Sequence, residues 1–477
     1  EKKIIRAIKG TKDILPNQSK KWQDLESSFR KFIQTYGYRE IRTPAFEKTE
    51  LFARGVGEDT DIVTKEMYTW EDHNGKSLTL KPELTAPVVR AYIQHNLAGE
   101  SPLTKLYYFD SLFRRERPQK GRQRQFHQFG IEAIGSPYPE CDAEVVASAY
   151  LFLSGLGLSE LTLKINSIGS GTSRKKFCGA LIEFLNPFKT QLSELSQKRL
   201  NANPMRILDT KISHEIDILK DAPVISDFLS DDDKIHFNET MGLLDALNIP
   251  YIQDSHLVRG LDYYCRTTFE ITSEVLGGQN ALCGGGRYDN LVELLGGKPT
   301  PAIGFAAGME RILLSMKTNV NAVDENQVYI INLVESESSL ALQIANLLRD
   351  AGCNVTMDTL RRSLKAQMRD ANRIGAGKAV IIGENEIQNQ TVQIKDLSSG
   401  EQKEIAKNDP LNNLILKTII FILKDKETGK PVVVTHFQGF ENDAEANDFS
   451  KFLTDQFTGD IPKSFDTETP TPKRTLH

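Results

Sequence analysis

The sequence predicts an α+β protein of more than one domain, and three stretches of its 477 residues carry that prediction. Residues 105–114 (KLYYFDSLFR) and 125–134 (QFHQFGIEAI) read as two strands flanking a polar, basic loop, broadly an antiparallel hairpin. Between about 171 and 250 the texture turns helical, rich in Lys and Asp, with no clear strand. Residues 327–395 then run strand, helix, strand, helix, strand, the pattern of a small α/β domain. The length agrees, since compact domains hold on the order of 150 residues and a chain of this size exceeds one core.

The remaining elements follow in order. Residues 19–36 place Trp22, Leu25, Phe29, Phe32 and Ile33 at three- and four-residue spacing, which predicts an amphipathic helix that Gly37 ends. Tyr38 to Thr43 reads as a short strand stopped by Pro44. A helix is predicted over 142–156 and a strand over 160–166. Strand signals return at 256–283, followed by a glycine cluster (CGGGRYDNL) and by AIGFAAGMERILL, an extended run leading into a helix. The predicted domains are therefore 1–170 with 251–322, a helical insertion at 171–250, an α/β domain at 326–425 and an extension at 426–477. The last 20 residues lack an apolar pattern and are expected to be disordered.

Composition narrows the class. With 39% hydrophobic and 26% charged residues the chain reads as an ordinary soluble protein. A net charge of -5 neither argues for nucleic-acid binding nor excludes it, because local basic patches matter more than the sum. Five scattered cysteines without a C-x-x-C pair make a poor disulfide framework and a poor zinc site, so reduced thiols and no protein-held metal are expected. No signal-peptide stretch opens the sequence and no run of about 18 apolar residues occurs, which predicts a cytoplasmic protein without a membrane span.

Five stretches carry candidate chemistry. The loop after Phe113 holds Arg114, Arg115, Arg117, Lys120, Arg122 and Arg124, and arginine forks suit phosphates. On the strand that follows, Phe126, Gln128, Gly130 and Glu132 share a face: an amide, a bare backbone patch and a carboxylate in a row. In KPELTAPVVR, Glu83 and Thr85 share a face if extended and suit an ammonium group. In VRGLDYYCRTTFE, Arg259 precedes the pair Tyr263 and Tyr264, a combination for a planar ring and an anion. Gly284 to Gly286, with Tyr288 beyond, permit close approach of backbone to ligand. Finally Gly304, Ala306 and Gly308 strip one strand face below Arg311, a seat for a purine and its phosphates outside the G-x-G-x-x-G and P-loop patterns. Taken singly, each has a plainer reading: a solvated hairpin, a helix cap, buried tyrosines, a tight turn.

Together they are more specific. The early strand ending at Pro44, the arginine-led hairpin 113–135 and GFAAGMERILL resemble, in order, the three motifs of class II aminoacyl-tRNA synthetases. RGLDYY and CGGGRYDNL resemble the two motifs peculiar to the histidyl-tRNA synthetase family, and LNANPMRILDTK in the helical stretch resembles its bacterial form. The resemblance runs from about residue 8 to 425. It implies a class II catalytic domain, an antiparallel sheet flanked by helices, with a C-terminal anticodon-binding domain. It further implies that histidine is activated with ATP to histidyl-adenylate and pyrophosphate, then transferred to the 3′ end of tRNA(His).

Residue by residue, the resemblance assigns Glu83 and Thr85 to the histidine α-ammonium and Gln128 to its carboxylate side. Glu132 and Tyr264 would bind the imidazole, with Tyr263 and Tyr288 completing the pocket. Arg114 and Arg311 would clamp ATP phosphates, Arg122 would lie near the α-phosphate, and Arg259 would be the catalytic arginine neutralising it. Mg²⁺ would accompany ATP. Gln119 would read an extra 5′ guanosine on the tRNA, and Arg361, Arg362, Lys365, Arg369 and Arg373 on one C-terminal helix suit anticodon-side phosphates. The strand before Pro44 implies a homodimer. The alternatives are a non-catalytic, histidine-sensing regulatory paralogue and a plain tRNA-binding scaffold. The arginines oppose the first and the pocket residues the second.

Overall fold

A computed structural model of the chain describes residues 4–58, 60–119, 121–158, 160–275, 281–316, 324–406, 420–425, 431–435 and 457–458. Two compact units, Glu1–Thr318 and Asn319–His477, are described separately.

The first unit opens with α1 (Pro16–Gln34), whose buried stripe is Leu25, Phe29 and Ile33. Next come β1 (Arg39–Glu40), β2 (Phe46–Lys48), α2 (Thr49–Val56), β3 (Thr69–Glu71), β4 (Ser77–Leu80) and α3 (Thr85–Gln94). The long hairpin is β5 (Thr104–Phe113) and β6 (Gln125–Ile134), followed by α4 (Pro139–Gly155) and β7 (Leu161–Ser167). Four helices then occur without a strand, α5 (Gly171–Leu185), α6 (Glu194–Ala202), α7 (Ser213–Leu219) and α8 (Asp231–Ala246). The unit closes with β8 (Ile252–Gln253), β9 (Cys265–Ser273), β10 (Ala281–Arg287), α9 (Leu291–Leu294), β11 (Ala302–Gly308) and α10 (Met309–Ser315).

Eight of these strands form one sheet in the order β1-β5-β6-β11-β10-β9-β7-β8. The six inner strands are antiparallel, and only the two-residue strands β1 and β8 at the edges pair in parallel. Alternation sorts the faces. Phe129, Ile131 and Ala133 of β6, with Ile303 and Phe305 of β11, enter a core shared with α1, α4 and α8. Phe29 sits at its centre, 4.2 Å from the ring of Phe129 and 5.0 Å from that of Phe152.

The other face is paved with small residues in register. One row crosses the sheet as Tyr108, Gly130, Ala306, Gly284 and Glu270, the next as Leu106, Glu132, Gly304, Gly286 and Thr268. Missing Cβ atoms make the space. A Cβ on Gly284 would lie 2.2 Å from the Arg259 guanidinium, one on Gly304 1.9 Å from Glu132 Oε2, and one on Gly130 2.5 Å from the Tyr108 hydroxyl. The glycine cluster is thus the middle of a central strand and not a tight turn.

The second unit contains β12 (Asp324–Asn332), α11 (Ser338–Asp350), β13 (Asn354–Met357), α12 (Leu364–Arg373), β14 (Ala376–Ile382), α13 (Glu384–Gln388), β15 (Thr391–Asp396) and β16 (Gln402–Ala406). Its sheet runs β13-β12-β14-β15-β16, parallel at the first three strands and antiparallel beyond. Strands β17 (Ile420–Asp425), β18 (Pro431–Thr435) and β19 (Phe457–Thr458) pair separately. Most of the predicted extension, including the last 20 residues expected to be disordered, lies outside the described residues.

Two expectations need correction. The strand signal at 256–283 covers a non-strand loop, 254–264, before β9, because Gly260 and Asp262 interrupt the pattern. Arg361 and Arg362 precede α12 instead of lying on it, and Arg361 adopts a left-handed φ of 52°.

Candidate active site

Over the small-residue face lies a cavity of about 440 Å³. Glu83, Thr85, Gln128, Tyr263 and Tyr264 line it, as do Arg114, Arg122, Arg259 and Arg311. Nine of the predicted residues, drawn from four separate stretches of sequence, therefore meet in one space. Glu132 and Tyr288 are not among the lining residues; both lie buried behind it.

Glu83 and Thr85 do not sit on an extended segment. Thr85 begins α3, and the Glu83 carboxylate accepts the Thr85 and Ala86 backbone N–H groups at 2.9 Å each. That is the helix-cap reading of the motif, and it also presents a carboxylate to the cavity. A carboxylate has about four acceptor positions, so two caps leave room for an ammonium. Burial raises the Glu83 pKa above its ordinary value.

Behind Thr85, the Glu132 carboxylate collects three hydroxyls. Thr85 donates to Oε1 at 2.8 Å, Tyr108 to Oε1 at 3.0 Å and Tyr288 to Oε2 at 2.5 Å. Burial is the largest influence and outweighs these bonds, pushing the Glu132 pKa up to about 8. Thr85 lines the cavity and its hydroxyl occupies Oε1, so the Glu132 carboxylate does not itself open on the cavity. Tyr264 stands on the wall itself, and burial pushes its hydroxyl up to about 12. Tyr108 was missed by sequence reasoning, although hairpin register would have set it opposite Gly130.

Cations gather at the other end. Arg114 donates to the Pro82 carbonyl at 2.8 Å and lies 5.1 Å from the Phe126 ring. Arg311 donates to the carbonyls of Gly121 at 3.1 Å and Ala281 at 2.8 Å. Its pKa is lowered, first by burial and then by the like charge of Arg122, with Arg114 adding to it. Like charges held together in a partly desolvated wall gain from an incoming polyanion. Arg259 lies over Gly284 and pairs with Glu270 of β9 at 2.5 Å. Carboxylates of Glu66 and Glu116 line the same end, and Glu116 Oε2 lies 3.4 Å from Arg122 Nε. Hard oxygens beside a phosphate seat fit a Mg²⁺ that arrives with a nucleotide.

Two further arginines, Arg199 and Arg206, reach the cavity from the helical segment between β7 and β8. Sequence reasoning noticed the stretch LNANPMRILDTK, which holds Arg206 and begins just after Arg199, yet gave it no chemistry. Gln119 sits exposed at the hairpin tip, where it and Arg122 exchange backbone hydrogen bonds at 3.1 and 2.9 Å.

Comparison with known proteins agrees with this geometry. A family model described as histidyl-tRNA synthetase matches residues 10–173 and 181–312, and one described as an anticodon binding domain matches 327–415. The chain is 45% identical over 405 residues to the histidine–tRNA ligase of Caldanaerobacter subterraneus, covering 84% of this chain and 97% of the relative. It is 47% identical over 406 residues to that of Thermoanaerobacter pseudethanolicus, with 84% and 97% covered. Among solved structures, the apo histidyl-tRNA synthetase of S. aureus superposes with a TM-score of 0.71 at 39% identity, covering 85% of this chain and 98% of that one.

Proposed function

Because the chain belongs to the histidyl-tRNA synthetase family and is a histidine–tRNA ligase using ATP as substrate, we propose that the cavity over the glycine-paved face is its active site. The convergence of Arg114, Arg259 and Arg311 with Glu83, Thr85 and Tyr264 on one space of about 440 Å³ carries this reading.

Glu83 and Thr85 hold the α-ammonium, Gln128 lies toward the carboxylate, and Tyr264 meets the imidazole. Tyr263 and Tyr288 shape the pocket. Glu132 takes a ring N–H once the Thr85 hydroxyl yields its place, which selects an amino acid carrying that donor. Buried polar groups left unpaired by a wrong side chain discriminate by roughly 10⁴-fold or more, so no editing step is needed. Arg114 and Arg311 grip the ATP phosphates, with Arg122 near the α-phosphate. The histidine carboxylate attacks that phosphorus in line, pyrophosphate leaves, and Arg259 offsets the charge that builds up. The terminal ribose hydroxyl of the tRNA then attacks the acyl carbon and AMP departs. Proton transfer plays a small part; positioning and charge stabilisation supply most of the rate. Mg²⁺, when bound with ATP, neutralises phosphate charge near Glu66 and Glu116.

Gln119 at the exposed hairpin tip meets the acceptor end of the tRNA. A cytoplasmic homodimer completes the proposal, supported by the likeness of the strand before Pro44 to the first class II motif. Phe46 and Trp70, 50% and 40% exposed with rings 5.8 Å apart, offer apolar area for a second copy, and sedimentation would measure it.

The central test is histidine-dependent ATP–pyrophosphate exchange. Arg259→Ala is expected to lower the exchange rate by about a thousandfold, to a residual rate that can still be measured, while histidine binding, measured by calorimetry, stays within about threefold. Equal loss of both would make Arg259 structural and overturn its catalytic assignment.

A further inference from the structure

Arg259, Tyr263 and Tyr264 ride on the loop 254–264, which has no strand or helix of its own to fix it. Its backbone is held from elsewhere. Asn166 Nδ2 donates to the carbonyls of Ser255 at 3.3 Å and Leu257 at 3.0 Å, and the Asp262 N–H donates to the Val56 carbonyl at 3.1 Å. The tightest grip comes from the helical segment between β7 and β8. Arg206 Nη2 donates to the Gly260 carbonyl at 2.9 Å and to Asp262 Oδ1 at 3.1 Å. Asn203 Nδ2 donates to the same Oδ1 at 2.8 Å. Arg174 Nη1, on α5, donates to the carbonyls of Asp262 at 3.0 Å and Tyr264 at 3.2 Å. Asp262 fills the room left by Gly57, where a Cβ would come within 2.4 Å of Oδ2.

Arg206 is only 8% exposed, and the carbonyl it holds belongs to the residue directly after Arg259. On the far side the Arg259 guanidinium is held by Glu270, above the bare backbone of Gly284. Without the Arg206 clasp, Gly260 would leave the chain free to turn at that point, and an arginine aimed at a developing charge loses most of its effect with a displacement of about 1 Å.

We infer that Arg206, seconded by Asn203, is a positioning residue for adenylate formation: it holds Gly260–Asp262 so that Arg259 stands over Gly284. The helical segment is then part of the catalytic apparatus. The inference rests on the catalytic reading of Arg259.

The test uses the full-length protein. Arg206→Ala is expected to lower kcat for pyrophosphate exchange by about tenfold or more, with KM for histidine and ATP within about threefold. Arg206→Lys should restore part of the loss. In a double-mutant cycle, Arg206→Ala combined with Arg259→Ala should lose no more than Arg259→Ala alone, since both act through one guanidinium. Asn203→Ala, which removes a single hydrogen bond, should show the same kcat-selective loss at smaller size and serves if Arg206→Ala does not fold. An unchanged kcat in the foldable variant, or losses that multiply in the double variant, would overturn the inference. Full activity in Arg259→Ala would instead overturn the site reading on which it stands.

Discussion

Single side chains in this site are defined as much by the atoms missing around them as by their partners. Glu132 is the clearest case: its carboxylate occupies the space that a Gly304 side chain would fill. Gly304→Ala should therefore displace it and weaken histidine binding without touching the phosphate end; calorimetry with each ligand separates the two. Glu132→Gln should weaken histidine by about 1–3 kcal/mol and ATP by little, and an unchanged histidine affinity would remove its imidazole role. The same residue sets a pH dependence. With a folded pKa of about 8 against an unfolded value near 4.3, the native carboxyl holds a proton that the unfolded chain has lost. Stability should then fall as pH rises between roughly 4.3 and 8, and Glu132→Gln should flatten that slope in urea titrations at pH 6, 7 and 8.

Among elements, α12 separates surface charge from usable charge. Arg362 is taken up by Asp358 and Asp370, at 2.9 Å for the latter, and Arg373 by Asp370 at 2.5 Å. Lys365 and Arg369 remain exposed, and no ion pair is recorded for either among the described residues. Lys365→Ala with Arg369→Ala is expected to raise the KM for tRNA several-fold and leave pyrophosphate exchange intact. A tRNA KM unchanged across salt concentrations would show that this face does not meet phosphates. A second element-level tie is Asp233 of α8, which accepts the Ser170 N–H and the hydroxyls of Ser170 and Ser173 and pairs with Arg266 at 3.0 Å. Burial opposes its charge, yet these bonds prevail and hold its pKa at about 2. Its stabilisation is present above the unfolded value near 3.9 and is lost as pH falls from there toward 2.

At the scale of the whole first unit, one buried cluster joins the sheet to two of the helices packed on it. Arg287 of β10 donates from Nε to Asp142 of α4 at 3.0 and 3.2 Å, and His236 of α8 bonds the same carboxylate at 2.9 Å. Arg287 and Asp142 are both fully buried, so Asp142→Ala would leave the desolvated guanidinium with Asp289 as its remaining carboxylate and its Nε without an acceptor, and should cost about 3–5 kcal/mol in denaturant unfolding. Tyr288 adjoins Arg287, and the loss should reach the Glu132 pocket as well.

Periodicity set out the secondary structure well. Residues 125–134 of β6 match the predicted strand, and the bare face of Gly304, Ala306 and Gly308 is legible as alternation alone. Those signals are local, because backbone geometry fixes which neighbours in sequence share a face. The helix cap made by Glu83 was among the readings of its stretch, being local, but the strand identity of Gly284 to Gly286 and the recess of Glu132 behind Thr85 were not legible, since each is decided by what another part of the chain places beside it. Arg206 shows the same limit most plainly. Its partners Gly260 and Asp262 lie more than fifty positions away. Sequence alone determined which side chains the chemistry has available; tertiary packing decided which of them are desolvated, bonded to one another and aimed at one cavity, because burial and hydrogen-bond geometry exist only once distant segments meet.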